Sequence, residues 1–521
     1  MNGPVSRVHS LPQSDSDWVG LNTLVLGAGE SGQACARWLQ ARGCRVTLVD
    51  SRVMTRPPVD ESIECRLGLD LPFSEGLLEG QDLVVVSPGL SPHPDRASSV
   101  ANLVTAARAT GVGLVSELDL FEWALDALGC EDHPQLGTEH APELALGRPS
   151  VVAVTGTNGK TTTAVLTARL LESTGLDVQL AGNVSPSMLT ALLVRQASGR
   201  LPQVWVLELS SFQLAWSHRF RPTASAILNL TDDHLDWHVD RADYAESKLR
   251  ILGLPEPQGR VIAPREDAAL WGAMQARAGR RAEAFWSFGR SELASAAPGL
   301  GILSDGLDWI VLRRDPQAPL ERLMPAAALR LAGSHNRLNV MAALGLALAV
   351  SDDLAPMLHA LRDYAGEPHR LTPVRTLSGV EFINDSKGTN VGATMAALSD
   401  GDFPLAVILG GEGKGQDFAP LARALADRGA CAIGIGRDGP PILELARASG
   451  AETRSAETLE RAVPLAFAWV QEKLAQTGRS YGQVLLSPAC ASFDQFQNYG
   501  HRGECFVMEV DRFAQDQEGQ L

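Results

Sequence analysis

The stretch "VVAVTGTNGKTTT", residues 151–163, decides how the rest of the chain is read. A short β-branched run ends at Thr155, a Gly-rich turn follows, and Lys160 and Thr161 open a helical stretch. Strand, turn and helix in that order gather backbone N–H groups around a helix N-terminus, which is the geometry that cradles a phosphate. The N–H groups from Gly156 through Thr157, Asn158 and Gly159 to Lys160 can point at anionic oxygens, with Thr162 beside them. Lys160 can reach β- and γ-phosphates, and the Thr161 hydroxyl can ligate Mg²⁺. The standard loop has a Gly five residues before Gly159, whereas this chain has Val154.

Working outward, short runs that are apolar throughout recur at 24–26, 45–49, 83–86, 204–207, 226–228, 405–409, 431–435 and 483–486. Strands buried on both faces give such runs, so the expected class is α/β with parallel sheets. The 521 residues allow about three to four domains. Residues 130–149, polar and rich in Pro, Gly and His, read as a linker or insertion, and residues 362–374 form a second break. The expected plan is a Rossmann-like domain over 1–149, a central P-loop ATPase-like parallel-sheet domain over 150–366, and a Rossmann-like C-terminal domain over 367–521. Residues 338–350 read as a buried helix, and residues 276–325 as a surface excursion.

A net charge of −16 argues against a nucleic-acid binder, which needs a basic face. The seven cysteines, at 35, 44, 65, 130, 431, 490 and 505, show no CxxC pairing and read as reduced thiols of a cytoplasmic protein. The first 20 residues contain no apolar signal-peptide core, and no apolar run is long enough to span a bilayer.

Two more segments carry chemistry. Residues 21–52 run strand, GxGxxG (Gly27, Gly29, Gly32), helix, strand, Asp50. That pattern holds a diphosphate, and taken alone it suggests NAD or FAD. Ser87 and Gly89 end another strand and can line the same crevice. In the centre, Glu208 ends the apolar run "VWVLE", where a P-loop needs a metal-holding acid. "ILNLTDDHLDWH" (227–238) puts His234 and His238 at zinc spacing without a third His or Cys nearby, so His234 on a Mg²⁺ site is the better reading. Lys248, on a short amphipathic stretch, reads by itself as an ordinary surface lysine.

"TGTNGKTTT", "AGNV" (181–184), "LELSSFQL", "NLTDDHLD", "ESKLRI" and "GSHNRLN" (333–339) together resemble the Mur ligases, the ATP-dependent amino-acid ligases of peptidoglycan synthesis. That family's loop lacks the early Gly, so Val154 fits it. "EPHRL" (367–371), "INDSKGTNVGAT" (383–394), "LGGEGKGQDF" (409–418) and "LLSPACASFDQFQNYGHRG" (485–503) resemble the branch that adds D-glutamate, and no DNPR-type motif of the diaminopimelate or lysine adders is present. The resemblance runs from about residue 21 to 510.

The resemblance implies an acid–amino-acid ligase of EC 6.3.2 type that works through an acyl phosphate on UDP-N-acetylmuramoyl-L-alanine. Lys160, Thr161, Glu208, His234 and Lys248 would serve ATP and two Mg²⁺ ions, with Lys248 carbamylated. Asn336, Asn339, His369, Arg370 and Asp385 would hold adenine and ribose, and Lys387 the transferred phosphate. Gly29, Ser31, Asp50, Ser51, Ser87, Gly89 and Asn183 would hold the uridine diphosphate. Thr389, Lys414, Ser492, Phe493 and Tyr499 would form the D-glutamate pocket, although Phe493 stands where Leu is familiar and Tyr499 where Phe is. A monomer is expected, with no nucleic-acid partner and with closure of the domains over the substrates. The competing readings are an NAD-dependent oxidoreductase built on Gly27–Gly32, a non-catalytic P-loop regulator, and another Mur or folylpolyglutamate-type ligase.

Overall fold

The computed structural model describes residues 12, 14–53, 59–71, 73–128, 148–254, 259–278, 285–293, 297–331, 333–398, 401–413 and 416–518. Most of the 130–149 linker, Cys130 and Lys414 therefore lie outside the described residues.

Each apolar run becomes a strand, and the strands form three sheets. The first contains β1 (Asn22–Leu26), β2 (Arg45–Asp50), β3 (Glu64–Leu67), β4 (Leu83–Val86) and β5 (Gly113–Val115) in the order β3-β2-β1-β4-β5, all parallel. The second contains β6 (Ser150–Thr155), β7 (Val178–Gly182), β8 (Val204–Glu208), β9 (Ala224–Ile227), β10 (Arg260–Pro264), β11 (Phe285–Phe288), β12 (Gly299–Asp305), β13 (Leu307–Arg313) and β14 (Glu321–Pro325). Its order is β14-β13-β12-β11-β10-β9-β6-β8-β7, parallel except for β12–β13 and β13–β14. The third contains β15 (Thr372–Leu377), β16 (Val380–Asn384), β17 (Leu405–Gly410), β18 (Cys431–Ile435), β19 (Glu452–Glu457) and β20 (Gly482–Leu486). Its order is β15-β16-β20-β17-β18-β19, with only β15–β16 antiparallel.

The α/β class with dominantly parallel sheets is therefore as expected. Residues 276–325 depart from the reading. Much of this stretch is not a surface excursion but the antiparallel edge β12–β14 of the second sheet. The buried helix is present as Ser334–Ala347, with Val340 to Leu344 fully buried.

By contacts the chain groups into two compact units. One comprises Met1–Leu230, Trp237–Leu329 and Arg337–Asp363, and the other Thr231–Asp236, Arg330–Asn336 and Tyr364–Leu521. The first unit contains both the first and second sheets because they share a core. One apolar cluster runs from Val25 and Trp38 through Phe121 to Val151 and Trp205. Phe121 meets Trp205 edge-to-face at 5.0 Å. Trp18, Trp38 and Trp123 pack edge-to-face in a triangle, with centroids 5.1 to 5.7 Å apart; such pairs add about 0.5–1.5 kcal/mol each beyond the area they bury.

The helix Glu117–Leu128 joins the two sheets. Buried Asp119 accepts from Ser217 Oγ (3.0 Å), His218 N–H (2.8 Å) and Arg219 N–H (2.8 Å) through one oxygen, and from Ser116 through the other. Buried Glu117 accepts from Leu189 N–H at 3.0 Å, and Asp126 pairs with Arg219 and Arg221.

Candidate active site

Parallel α/β sheets take ligands in the crevice at the C-terminal ends of their strands, and many of the expected site residues lie on loops there. In the first sheet the chain order reverses between β1 and β4. The turn after β1 takes Gly27 to φ 91°, and a side chain at Gly32 would run into the Gly27 carbonyl. Ser87 Oγ donates to that carbonyl at 3.1 Å, so the two loops meet across the crevice. Asp50 accepts from Ala28 N–H (2.6 Å) and from the Arg52 guanidinium (2.7 and 2.9 Å). Burial raises the Asp50 carboxyl, but these bonds outweigh it and hold the group below its ordinary range. Asp50 therefore fixes the glycine turn. Arg52, which the sequence reading passed over, brings a cation to the same strand end; its signal was the tripeptide "DSR" after β2.

In the second sheet β6 lies between β8 and β9, so the P-loop has a strand end on each side. Gly159 sits at φ 81° and caps the helix Lys160–Ser173. A side chain there would strike Asn339 Oδ1, so Asn339 lies against the loop as an ATP-site residue would. The Thr157 and Asn158 N–H groups point away from the expected cradle, to Asn229 O (3.1 Å) and Asn229 Oδ1 (2.9 Å). Asn229, just past β9, bonds the loop backbone at Asn158 in both directions, and only its place in "NLTDDHLD" hinted at it. Lys160 Nζ donates to Gly156 O and Thr157 O at 2.9 and 2.8 Å.

Glu208 ends β8 and is only 2% exposed. Its Oε1 accepts from Asn183 Nδ2 at 2.8 Å, while its buried Oε2 has no protein partner among the described residues. Lys248 corrects the sequence reading. It is not a surface lysine but is 2% exposed, with Nζ donating to Gly156 O at 2.9 Å and lying 3.4 Å from Thr155 Oγ1. The short helix Arg241–Leu249 turns Lys248 inward together with Tyr244, whose hydroxyl meets Thr157 Oγ1 at 2.9 Å. Thr155 Oγ1 also donates to Leu209 O, so the ends of β6 and β8 and Lys248 converge. His238 is fully buried against Asp243 and Ser211, while His234, at φ 56°, has its ring 3.6 Å from Asp233.

In the second unit the ends of β16, β20 and β17 carry the remaining candidates. Asp385 is buried and accepts from Ser487 Oγ at 2.7 Å, and burial pushes its carboxyl up to about 7. His369, at φ 62°, faces Asn384 Nδ2 at 3.0 Å, and a side chain on Gly503 would strike its ring. Lys387 Nζ lies 3.6 Å from the Tyr499 ring centre, joining two expected residues. Buried Arg502 ties the loop after β16 to the loop after β20, through Ser386 Oγ (3.0 Å), Ser386 O (2.8 Å) and Cys490 O (3.1 Å). The sequence reading missed Arg502, although it lies within a quoted motif. Ser492 is buried, whereas Phe493 is 67% exposed. Thr389 and Arg370 are half-buried at the same strand ends, and buried Asn336 belongs to this unit too.

Known proteins resemble this chain in sequence and in fold. A model of the Mur ligase middle domain matches residues 154–347, and one of the Mur ligase MurD-like N-terminal domain matches residues 21–112. The UDP-N-acetylmuramoylalanine–D-glutamate ligase of Bordetella avium is 41% identical over 95% of this chain and 96% of its own length. Its counterpart in Burkholderia mallei is 43% identical over 94% and 97%. The chain belongs to the Mur ligase family. The fold agrees. MurF from Acinetobacter baumannii superposes with a TM-score of 0.54 at 17% identity, covering 96% of this chain and 94% of that one. Folylpolyglutamate synthase from Mycobacterium tuberculosis gives 0.53 at 17%, covering 74% and 93%.

As a Mur ligase of peptidoglycan synthesis, on the D-glutamate-adding branch, the protein forms a C–N bond. These relatives give no support to the oxidoreductase reading of Gly27–Gly32. No helix among the described residues is long and apolar enough to cross a membrane.

Proposed function

We propose that this ATP-dependent ligase joins D-glutamate to UDP-N-acetylmuramoyl-L-alanine, with sheet one taking the uridine diphosphate, sheet two ATP, and sheet three D-glutamate. The observation that carries this reading is the convergence of Lys160, Glu208 and buried Lys248 around one P-loop. The division 1–149, 150–366 and 367–521 follows the three sheets. The protein acts as a cytoplasmic monomer.

A carboxylate resists attack by an amine. Here the substrate carboxylate attacks the γ-phosphorus, ADP leaves, and an acyl phosphate forms. The D-glutamate amine then attacks the acyl carbon, and inorganic phosphate leaves. Each step brings anions together, so the chain's task is positioning and charge neutralisation. Lys160 exchanges its loop carbonyls for phosphate oxygens. The orphaned Glu208 Oε2 suits a divalent cation, as does the Thr161 hydroxyl at the helix start. Bound Mg²⁺, two ions in this reading, supplies charge neutralisation at the phosphates. An ammonium cannot ligate a cation, so Lys248 joins His234 and Glu208 as a ligand only as its carbamate. Asn336, Asn339, His369, Arg370 and Asp385 serve the nucleoside, Lys387 the phosphoryl group in transit, and Thr389, Lys414, Ser492, Phe493 and Tyr499 D-glutamate.

Phosphate release from ATP is measured with UDP-N-acetylmuramoyl-L-alanine, with and without D-glutamate. Release that depends on D-glutamate is expected. Folded protein that releases none overturns the reading.

A further inference from the structure

The loop after β4, which carries Ser87 and Gly89, is fastened to the second sheet's connections by bonds the proposed chemistry does not use. Trp216 Nε1 donates to Leu90 O (2.8 Å), Trp237 Nε1 to Gly89 O (3.2 Å), and Ser91 Oγ to Trp237 O (3.0 Å). Arg96 donates to His238 O and Val239 O at 2.5 and 3.1 Å. Beneath them is a chain of side chains. His93 Nε2 lies 3.0 Å from Asp243 Oδ2, His238 Nδ1 lies 2.8 Å from the same oxygen, and His238 Nε2 lies 3.0 Å from Ser211 Oγ.

The protons on this chain follow from the carboxylate at its centre. An ionised Asp243 only accepts, so both imidazoles donate to it. His238 is fully buried and burial lowers its pKa, so it is neutral. With its one proton on Nδ1, its Nε2 must accept from the Ser211 hydroxyl. Every donor on His238 and Ser211 then has its acceptor, and the His238 ring has one tautomer. The rings of Trp237, Phe212 and Tyr244 pack on His238 at 4.6, 5.8 and 5.3 Å and fix its plane. The chain reaches proposed working parts at its Ser211 end and at its central carboxylate. Ser211 opens the short helix Ser211–Trp216 three residues past Glu208, and Asp243 lies on the helix that carries Lys248.

We propose that His93, Asp243 and His238 are positioning residues that hold the uridine-diphosphate loop in register with Glu208 and Lys248. The inference rests on the reading of Ser87 and Gly89 as substrate contacts. It goes beyond that reading by assigning work to three residues that the proposed function gives no substrate contact.

The test is calorimetric binding of UDP-N-acetylmuramoyl-L-alanine to the full chain and to His93→Ala and His93→Gln, followed by steady-state kinetics. His93→Ala should weaken binding and raise KM for this substrate about tenfold, the effect of one charge-assisted bond. Its kcat and its KM for ATP and for D-glutamate should stay within about twofold. His93→Gln, which keeps a donor, should recover most of the affinity. Unchanged binding, or an equal rise in KM for all three substrates, overturns the proposal. The three donor atoms also lie within 4.8 Å of one another. One equivalent of Zn²⁺ bound by the wild type and lost in His93→Ala therefore overturns it in favour of a metal site. Wild type that binds the substrate but releases no phosphate with D-glutamate counts against the ligase reading and leaves the relay to be decided by the binding data.

Discussion

At Asp385 burial shifts a titration into an accessible pH range. Its carboxyl sits near 7 in the folded chain, against an ordinary value of 3.8, because burial penalises the anion more than Ser487 and Arg370 favour it. Below pH 3.8 both states hold the proton. Between 3.8 and about 7 the folded chain keeps it while the unfolded chain releases it, so this group's contribution to stability falls as pH rises through that window. Thermal melts of Asp385→Asn against wild type should show the difference moving in the variant's favour from about pH 5 to pH 8. A constant difference would disprove the shift. Glu208→Gln should melt within about 2 °C of wild type without Mg²⁺, lose the stabilisation Mg²⁺ gives, and lose activity by about 10²–10³. Lys160→Ala should lose D-glutamate-dependent phosphate release by a similar factor, and full activity in that variant would sink the P-loop assignment. Lys160 stood out by its fixed place in the loop, and Glu208 as the acid that ends a neighbouring apolar run. Lys248 was singled out only by the family resemblance, since a lysine on an amphipathic stretch normally faces water. Asn229 and Arg502 were hidden because their work is to bond backbone carbonyls and N–H groups far away in the chain.

At the scale of elements, legibility followed burial. Strands covered on both faces, such as β1, β6 and β17, read as unbroken apolar runs. The β12–β14 edge did not. β13 is buried only from Ile310 to Leu312, and β14 runs two charged residues, two apolar residues and a proline, so no strand period stands out. The helix Glu117–Leu128 went unread in the sequence, yet its buried acids fasten two sheets. Asp119→Ala would leave the Ser217, His218 and Arg219 donors without their acceptor. Denaturant titration should show a loss of about 3 kcal/mol, and a loss below about 1 kcal/mol would mean that water replaces the carboxylate.

For the whole molecule, three sheets were legible and two compact units were not. Sequence runs mark where sheets begin and end. They do not say that Phe121 will meet Trp205 across a shared core. Because that core is continuous, hydrogen exchange in β1 and β6 should report one common opening free energy. Exchange of β1 at a clearly lower free energy, with β6 still protected, would show that the first sheet opens alone. The His93–Asp243 bond belongs to the same class of fact, since its partners are 150 residues apart.

The antiparallel edge of the second sheet has a further consequence. A long sheet that ends in a flat, apolar strand invites another chain to add to it. Here the last strand carries Glu321 and Arg322, ends in Pro325, and pairs with β13 across a bulge between Ile310 and Val311. Arg322 also pairs with Asp305 and lies over Trp309, so the rim carries fixed charge. With a net charge of −16 repelling like copies, a concentrated solution of this protein should resist strand-to-strand aggregation at this edge.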